Sequence, residues 1–263
     1  MKQTRKILVT SLKGGVGKST VSAALAAAFA GMGSRVLLCD LDFRSRSLEL
    51  MLGAADRSVF DLHDYMTGIS DAAGVIIPVP VRSGLVAFCP APDEDRMVED
   101  GGENYSRLAG AISDLAASAE ADTVICDTGA ESTTPRTLAR DFADTVVVVS
   151  EQSRTSIRAA EITADKLSAI NGDIDTRLIV NNFDVKLANK KARAGLLEVI
   201  DDSSIRCVGV IPHDDSIPLI EDSGVLPTFG PVAAAAENAA RRLRGESVPL
   251  FRGVGNLRRR IRL

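Results

Sequence analysis

The sequence predicts an α/β protein, a mostly parallel twisted β-sheet with helices on both faces. Three observations predict it. Short runs rich in Val, Ile and Leu alternate with longer helical patterns along 263 residues. Most of those runs are continuous rather than alternating, the pattern of strands covered on both faces. Asp40, Asp127 and Asn181 each close such a run, and in open parallel sheets ligands bind outside the carboxyl ends of the strands.

The elements follow in order. Ile7-Leu8-Val9 is a first strand, and an Ala-rich helix from about Ser19 to Met32 stops at Gly33. Val36 to Cys39 is a second strand. Weaker strands are expected near Val75-Ile77 and Leu85-Cys89. Stronger ones are expected at Thr123 to Cys126, Val146 to Val149, Arg177 to Val180 and Val208 to Ile211. Helical patterns cover about 104–119, 133–142, 154–170, 187–200 and 231–244. Pro90–Gly102, rich in Pro, Asp and Glu, and the tail after Gly245 are the expected flexible segments. No internal repeat is visible.

Composition narrows the class. Apolar residues make up 45% and charged residues 25%, an ordinary globular balance that excludes dominant disorder. Four cysteines are too few for a disulfide scaffold, and none forms C-x-x-C. Cys39, Cys89, Cys126 and Cys207 fall in or beside expected strands and read as buried reduced thiols. His63 and His213 are isolated, so no zinc constellation is present. No apolar run approaches the roughly 18 residues that cross a bilayer. The N-terminal Lys2, Arg5 and Lys6 precede a strand rather than a signal peptide, so the expected compartment is the cytoplasm. Charge is unevenly placed: Arg241–Leu263 carries eight arginines and one glutamate, a local +7, which leaves −11 on the remaining 240 residues of a chain whose net is −4. The expected organisation is one globular domain over 1–245 and a basic tail over 246–263.

The chemistry concentrates in Lys13-Gly14-Gly15-Val16-Gly17-Lys18-Ser19-Thr20, between a strand and a helix. Glycines let backbone N–H groups turn inward on phosphate oxygens, and the following helix N-terminus adds positive charge. Gly14, Gly15, Val16 and Gly17 would form the cradle. Lys18 would pair the β- and γ-phosphates, the Ser19 hydroxyl would ligate Mg²⁺, and Thr20 would reach the α-phosphate. The loop therefore suits a nucleoside triphosphate with Mg²⁺. The strict G-x-x-x-x-G-K-[ST] pattern is not met, because Leu12 stands at its first glycine.

What stands there instead resembles the deviant Walker A motif of the MinD/ParA family of P-loop ATPases. The resemblance extends to Asp40-Leu41-Asp42-Phe43-Arg44-Ser45-Arg46-Ser47-Leu48-Glu49-Leu50-Met51-Leu52-Gly53, to Phe142-Ala143-Asp144, and to Val208–Pro212 with Asp214 and Ser216, nearest the MinD side of the family. It implies roles for particular residues. Lys13 would reach across an ATP-sandwiched homodimer as an arginine finger does. Asp40 and Asp127 would hold the Mg²⁺ water shell, and Asp42 would position the attacking water. Asn181 and the segment Pro212, His213 and Asp214 would frame the adenine, Asn181 offering a donor and an acceptor; Asn181 also suits a turn. The chain departs from the family at Arg44, where a glycine is usual, at Thr128-Gly129-Ala130-Glu131, which replaces S-P-A-G, and at Ser153, which replaces a glutamate used across the dimer.

In the tail, Leu250, Val254, Leu257 and Ile261 fall on one helical face, widened by Phe251, with five arginines from Arg252 onward. This is the pattern of a helix lying in an anionic membrane interface. A disordered basic tail, a helix packed on the body and a nucleic-acid contact share the same composition. The family resemblance implies an ATPase that dimerises with ATP, sits on the inner face of the cell membrane through residues 250–263, and places the division site with a division-inhibitor partner. A ParA-type DNA-partitioning or pilus- or flagellum-positioning ATPase, or a low-turnover nucleotide-binding scaffold, are the alternative expectations.

Overall fold

The computed structural model describes residues 4–81, 84–98, 103–130, 133–226 and 228–250. Eight strands form one sheet: β1 (Arg5–Thr10), β2 (Val36–Leu41), β3 (Ile77–Val81), β4 (Gly84–Cys89), β5 (Thr123–Thr128), β6 (Thr145–Ser150), β7 (Asp175–Phe183) and β8 (Arg206–Pro212). Their spatial order is β3-β4-β2-β5-β1-β6-β7-β8, and every pairing but the β3–β4 hairpin is parallel. The twelve described helices are α1 (Lys18–Gly31), α2 (Ser47–Met51), α3 (Leu62–Met66), α4 (Ala72–Val75), α5 (Glu94–Val98), α6 (Glu103–Ser118), α7 (Thr133–Asp141), α8 (Arg154–Ile170), α9 (Val185–Asn189), α10 (Leu196–Ser203), α11 (Ile217–Asp222) and α12 (Gly230–Leu243). Among the described residues no helix is long and apolar enough to cross a membrane.

The continuous apolar runs are explained by two cores. Leu37, Cys39, Val124, Cys126, Val146 and Val148 pack toward α6, α7 and α8. The alternate residues Leu38, Ile125, Val147 and Val149 pack toward α1 and α12. Each strand buries both faces because each face has its own layer of helices. α1 is buried on most of its circumference, and its alanines let it pack closely against both the sheet and α12. All four cysteines are buried and unpaired, as expected.

Three expectations shift. The weak strand near Val75-Ile77 begins later, since Ala72–Val75 is a helical turn capped by Asp71 and the strand is Ile77–Val81. Pro78 and Pro80 point outward while Ile77 and Val79 are buried, and prolines without N–H donors are tolerated only on such an edge strand. The helix expected over 187–200 is two helices, α9 capped by Asp184 and α10 starting after Gly195. Lys191 between them has φ 58°, a left-handed residue that ends the first helix. Within Pro90–Gly102 the segment Glu94–Val98 is helical, and its acidic first turn suits a helix N-terminus. The tail expectations fall mainly on 251–263, outside the described residues. Leu250 is described and packs, half-buried, against the core on the α6–α8 side.

Candidate functional site

The loop after β1 turns into α1 through Gly17, whose φ of 82° is left-handed. A Cβ on Gly17 would lie 2.2 Å from Asn181 Nδ2, so both its conformation and its space demand glycine. Gly15 is also left-handed, and a Cβ on Gly14 or Gly15 would meet nothing within 4 Å. The loop is thus a cradle open on its outer side, with the start of a helix 14 residues long behind it. Lys18 is buried at its floor, 7% exposed, and its charge acts on Asp127.

β2 and β5 lie side by side in a register that pairs Asp40 with Asp127. Both carboxylates are at most 1% exposed. Asp40 accepts the backbone N–H groups of Asp42 (3.0 Å) and Leu48 (3.2 Å). Asp127 Oδ1 accepts the Ser22 hydroxyl at 2.8 Å, whereas Oδ2 is buried and makes no hydrogen bond of normal geometry. Burial raises the pKa of Asp40 well above the usual range, and the neighbouring Asp127 raises it further. Burial pushes Asp127 up to about 6, although the Ser19 and Ser22 hydroxyls and Lys18 pull the other way. Two adjoining buried carboxylates with one oxygen left over describe a site short of a cation. Ser19, hydrogen-bonded by Ser47 at 3.1 Å, stands at its edge. Among the described residues no group of three His, Cys, Asp or Glu converges as a metal cage. The carboxylate and hydroxyl oxygens that are present suit a hard cation such as Mg²⁺.

Asp42 lies just beyond β2, its Oδ1 accepting the N–H groups of Arg44 (3.4 Å) and Ser45 (3.2 Å). A Cβ on Gly129 would fall 3.0 Å from that oxygen, so the loops after β2 and β5 touch there. Arg44 forks onto Glu94 at 2.8 and 2.9 Å, and Arg46 pairs with Asp93 at 2.6 Å. The arginine at the departing position therefore ties the first loop to the first residue of α5, and Arg46 ties it to the residue before. Lys13 turns sideways within its own chain. Its ammonium donates to Ser153 Oγ at 3.0 Å and lies 3.7 Å from Glu151.

A cleft of about 340 Å³ opens beside the loop, between Gly15, Gly17 and Thr20 on one side and Asn181, Pro212 and Asp214 on the other. Asn181 is buried, and its Nδ2 donates to the Val16 carbonyl at 2.9 Å, fastening the loop to β7. His213 also lines the cleft, its ring nitrogens 2.6 Å from Asn182 Oδ1 and 2.8 Å from Asp215 Oδ1. Asp214 accepts the Ser216 hydroxyl and N–H, which hold it below the usual carboxylate range. The structure thus gathers Lys18, Ser19, Asp40, Asp42 and Asp127 at one end of the site, around the carboxyl ends of β2 and β5, while Asn181, Pro212, His213 and Asp214 line the cleft at the other. Sequence reasoning missed Ser22, Glu151 and Glu221, which bond to Asp127, Lys13 and Thr20. For Ser22 a signal existed: it lies three residues after Ser19, on the same helical face.

A parallel sheet, a lysine-bearing glycine loop before a helix, and acidic residues at the ends of the two neighbouring strands define a P-loop nucleotide-binding protein. Comparison with known proteins narrows the class. The CobQ/CobB/MinD/ParA nucleotide binding domain matches residues 7–227, and the chain belongs to that family. It is 29% identical over 247 residues to the septum site-determining protein MinD of Bacillus subtilis, covering 93% of this chain and 90% of that protein. It superposes with a TM-score of 0.82 and 26% identity on a chain of the MinC:MinD cell division protein complex of Aquifex aeolicus, over 95% of this chain and 99% of that one. The fold is also that of MinD from Pyrococcus horikoshii, solved with Mg-ADP (TM-score 0.76, 22% identity, 92% of this chain and 96% of that one).

Proposed function

We propose that this chain is a MinD-like ATPase. It binds ATP with Mg²⁺, closes into a homodimer, attaches to an anionic membrane surface through residues 250–263, and helps place the division site with a division-inhibitor partner. Hydrolysis to ADP and phosphate reverses the cycle, and the protein is cytoplasmic, peripheral on the inner face of the membrane. The observation that carries the reading is the two-lysine glycine loop beside an in-register aspartate pair that keeps one buried oxygen unbonded. The MinD relatives and the MinC-bound neighbour support the biological setting.

Each residue has a task on this reading. The backbone N–H groups of Gly14 to Gly17 hold the phosphates, and Lys18 neutralises the oxygens between the β- and γ-phosphorus. Ser19, Asp40 and Asp127 would hold Mg²⁺, which supplies positive charge to the phosphate oxygens. Asp42 orients the attacking water from a loop that already touches Gly129. Lys13 leaves Ser153 and Glu151 to meet the partner's nucleotide. Thr20 takes the α-phosphate, and the Asn181 and Pro212–Asp214 walls flank the base.

Flotation on vesicles containing anionic lipid tests this function. Binding in ATP but not ADP, lost on deletion of residues 250–263, is the expected result. Salt-sensitive binding to DNA without vesicle binding would replace it with the partitioning reading.

A further inference from the structure

At the first turn of α1 the Thr20 hydroxyl donates to the carboxylate of Glu221, on α11. A threonine hydroxyl has one proton to give. While Glu221 takes it, Thr20 has none for a phosphate. The position is also one where the helix N-terminus attracts an anion, and here the chain's own carboxylate fills that role. The first two residues of α11, Ile217 and Pro218, line the nucleotide cleft, so Glu221, one turn on, lies at the cleft's edge.

α11 is also joined to the loop and helix that follow β2, residues 42–53, which act as a first switch in the proposal below. Gly53, just after α2, and Gly224, just after α11, pack backbone against backbone. A Cβ on Gly53 would lie 2.9 Å from the Gly224 carbonyl oxygen, and one on Gly224 would lie 2.9 Å from Gly53 Cα. Both glycines are left-handed, with φ of 58° and 67°. The two backbones approach too closely to admit a Cβ on either glycine, so a shift of α11 bears on the end of α2. The other end of α2 holds Asp40 through the Leu48 N–H.

We propose that Glu221 is an internal competitor for the α-phosphate site and the latch that couples nucleotide entry to the first switch. An incoming nucleotide takes the Thr20 proton and repels the Glu221 carboxylate. α11 then moves, and the Gly53–Gly224 contact passes the movement to α2 and Asp40. The inference rests on the glycine loop being a phosphate cradle and adds to it a residue that sets affinity by opposing the ligand.

Titration of the full chain with a fluorescent ATP analogue in Mg²⁺ tests it. Glu221→Ala is expected to bind about tenfold more tightly than the unaltered chain, the scale of a lost charged hydrogen bond. Glu221→Gln keeps the shape and an acceptor without the charge, and its gain is expected to be smaller. In a Thr20→Val background the gain from Glu221→Ala is expected to fall below about threefold, as a double-mutant cycle requires of coupled partners. Unchanged or weaker binding by Glu221→Ala, while the unaltered chain binds normally, overturns the latch alone. No nucleotide binding by the unaltered chain overturns the cradle reading and the latch together. Hydrogen exchange at 47–53 tests transmission: Glu221→Ala without nucleotide is expected to match the unaltered chain with ATP. Exchange there that ignores both the substitution and the nucleotide overturns the coupling.

Discussion

The two ends of the site are built on opposite terms. At the phosphate end polar groups have capacity to spare: Lys18 is buried at the floor of an open cradle, and Asp127 Oδ2 has no hydrogen bond. At the base end the side chains are already engaged with one another, Asn181 with Val16, His213 with Asn182 and Asp215, and Asp214 with Ser216. A ligand gains new bonds at the first end through Lys18 and Asp127, although Thr20 there must exchange its bond to Glu221, and it exchanges old bonds throughout the second. Exchanged hydrogen bonds return little net free energy, while satisfying a buried orphan returns its full desolvation cost. On the proposed reading affinity is therefore expected to concentrate on phosphate and cation, with the base end shaping the pocket more than it holds the ligand.

Lys13 breaks this division, since it belongs to the phosphate loop but is engaged within its own chain by Ser153 and Glu151. Lys13→Ala is expected to lower steady-state phosphate release with lipid about 10³-fold, the scale of a lost trans cation, and to change nucleotide affinity by less than about threefold. Normal turnover by the variant would return Lys13 to the role of a surface ion pair.

The next effect concerns the cost of spare capacity. The carboxyl of Asp127 titrates near 6, above the usual 3.8. The folded chain therefore holds this proton more tightly than the unfolded chain does. Its contribution to stability is complete below about pH 4 and is lost as pH rises through about 6. At pH 7 without nucleotide the ionised group is a burden on the order of 3 kcal/mol. Asp127→Asn should then melt higher than the unaltered chain at pH 7, with the gap closing toward pH 4, and should lose Mg²⁺-dependent nucleotide binding. A variant that melts lower at pH 7 would show that the ionised Asp127 stabilises the fold.

The same contrast marks what the sequence discloses. The phosphate end is largely legible because its cradle is eight contiguous residues, and the strand ends bearing Asp40 and Asp127 are visible as apolar runs closing on acid. Their pairing is not visible, because it depends on the β2–β5 register. Contacts such as Ser22 with Asp127, 105 residues apart, and Thr20 with Glu221, 201 apart, leave no local pattern at all. The sheet was legible except at its margin, where Pro78 and Pro80 obscure an edge strand and Gly195 divides an otherwise helical stretch.

Asn181 decides whether the two ends are separate. Its type and position suit an adenine reader, yet its Nδ2 is bonded to the loop that holds phosphate. If its main work is to fasten that loop, Asn181→Ala loosens the cradle whatever lies in the base pocket. Affinities for ATP and for inorganic tripolyphosphate, measured by competition, should then fall by the same factor, about fivefold for one neutral hydrogen bond. If Asn181 reads the base, ATP affinity falls and tripolyphosphate affinity does not change. An equal loss would mean that the base end acts on the nucleotide through the loop, and that part of the phosphate affinity is built from a strand more than 160 residues away from it.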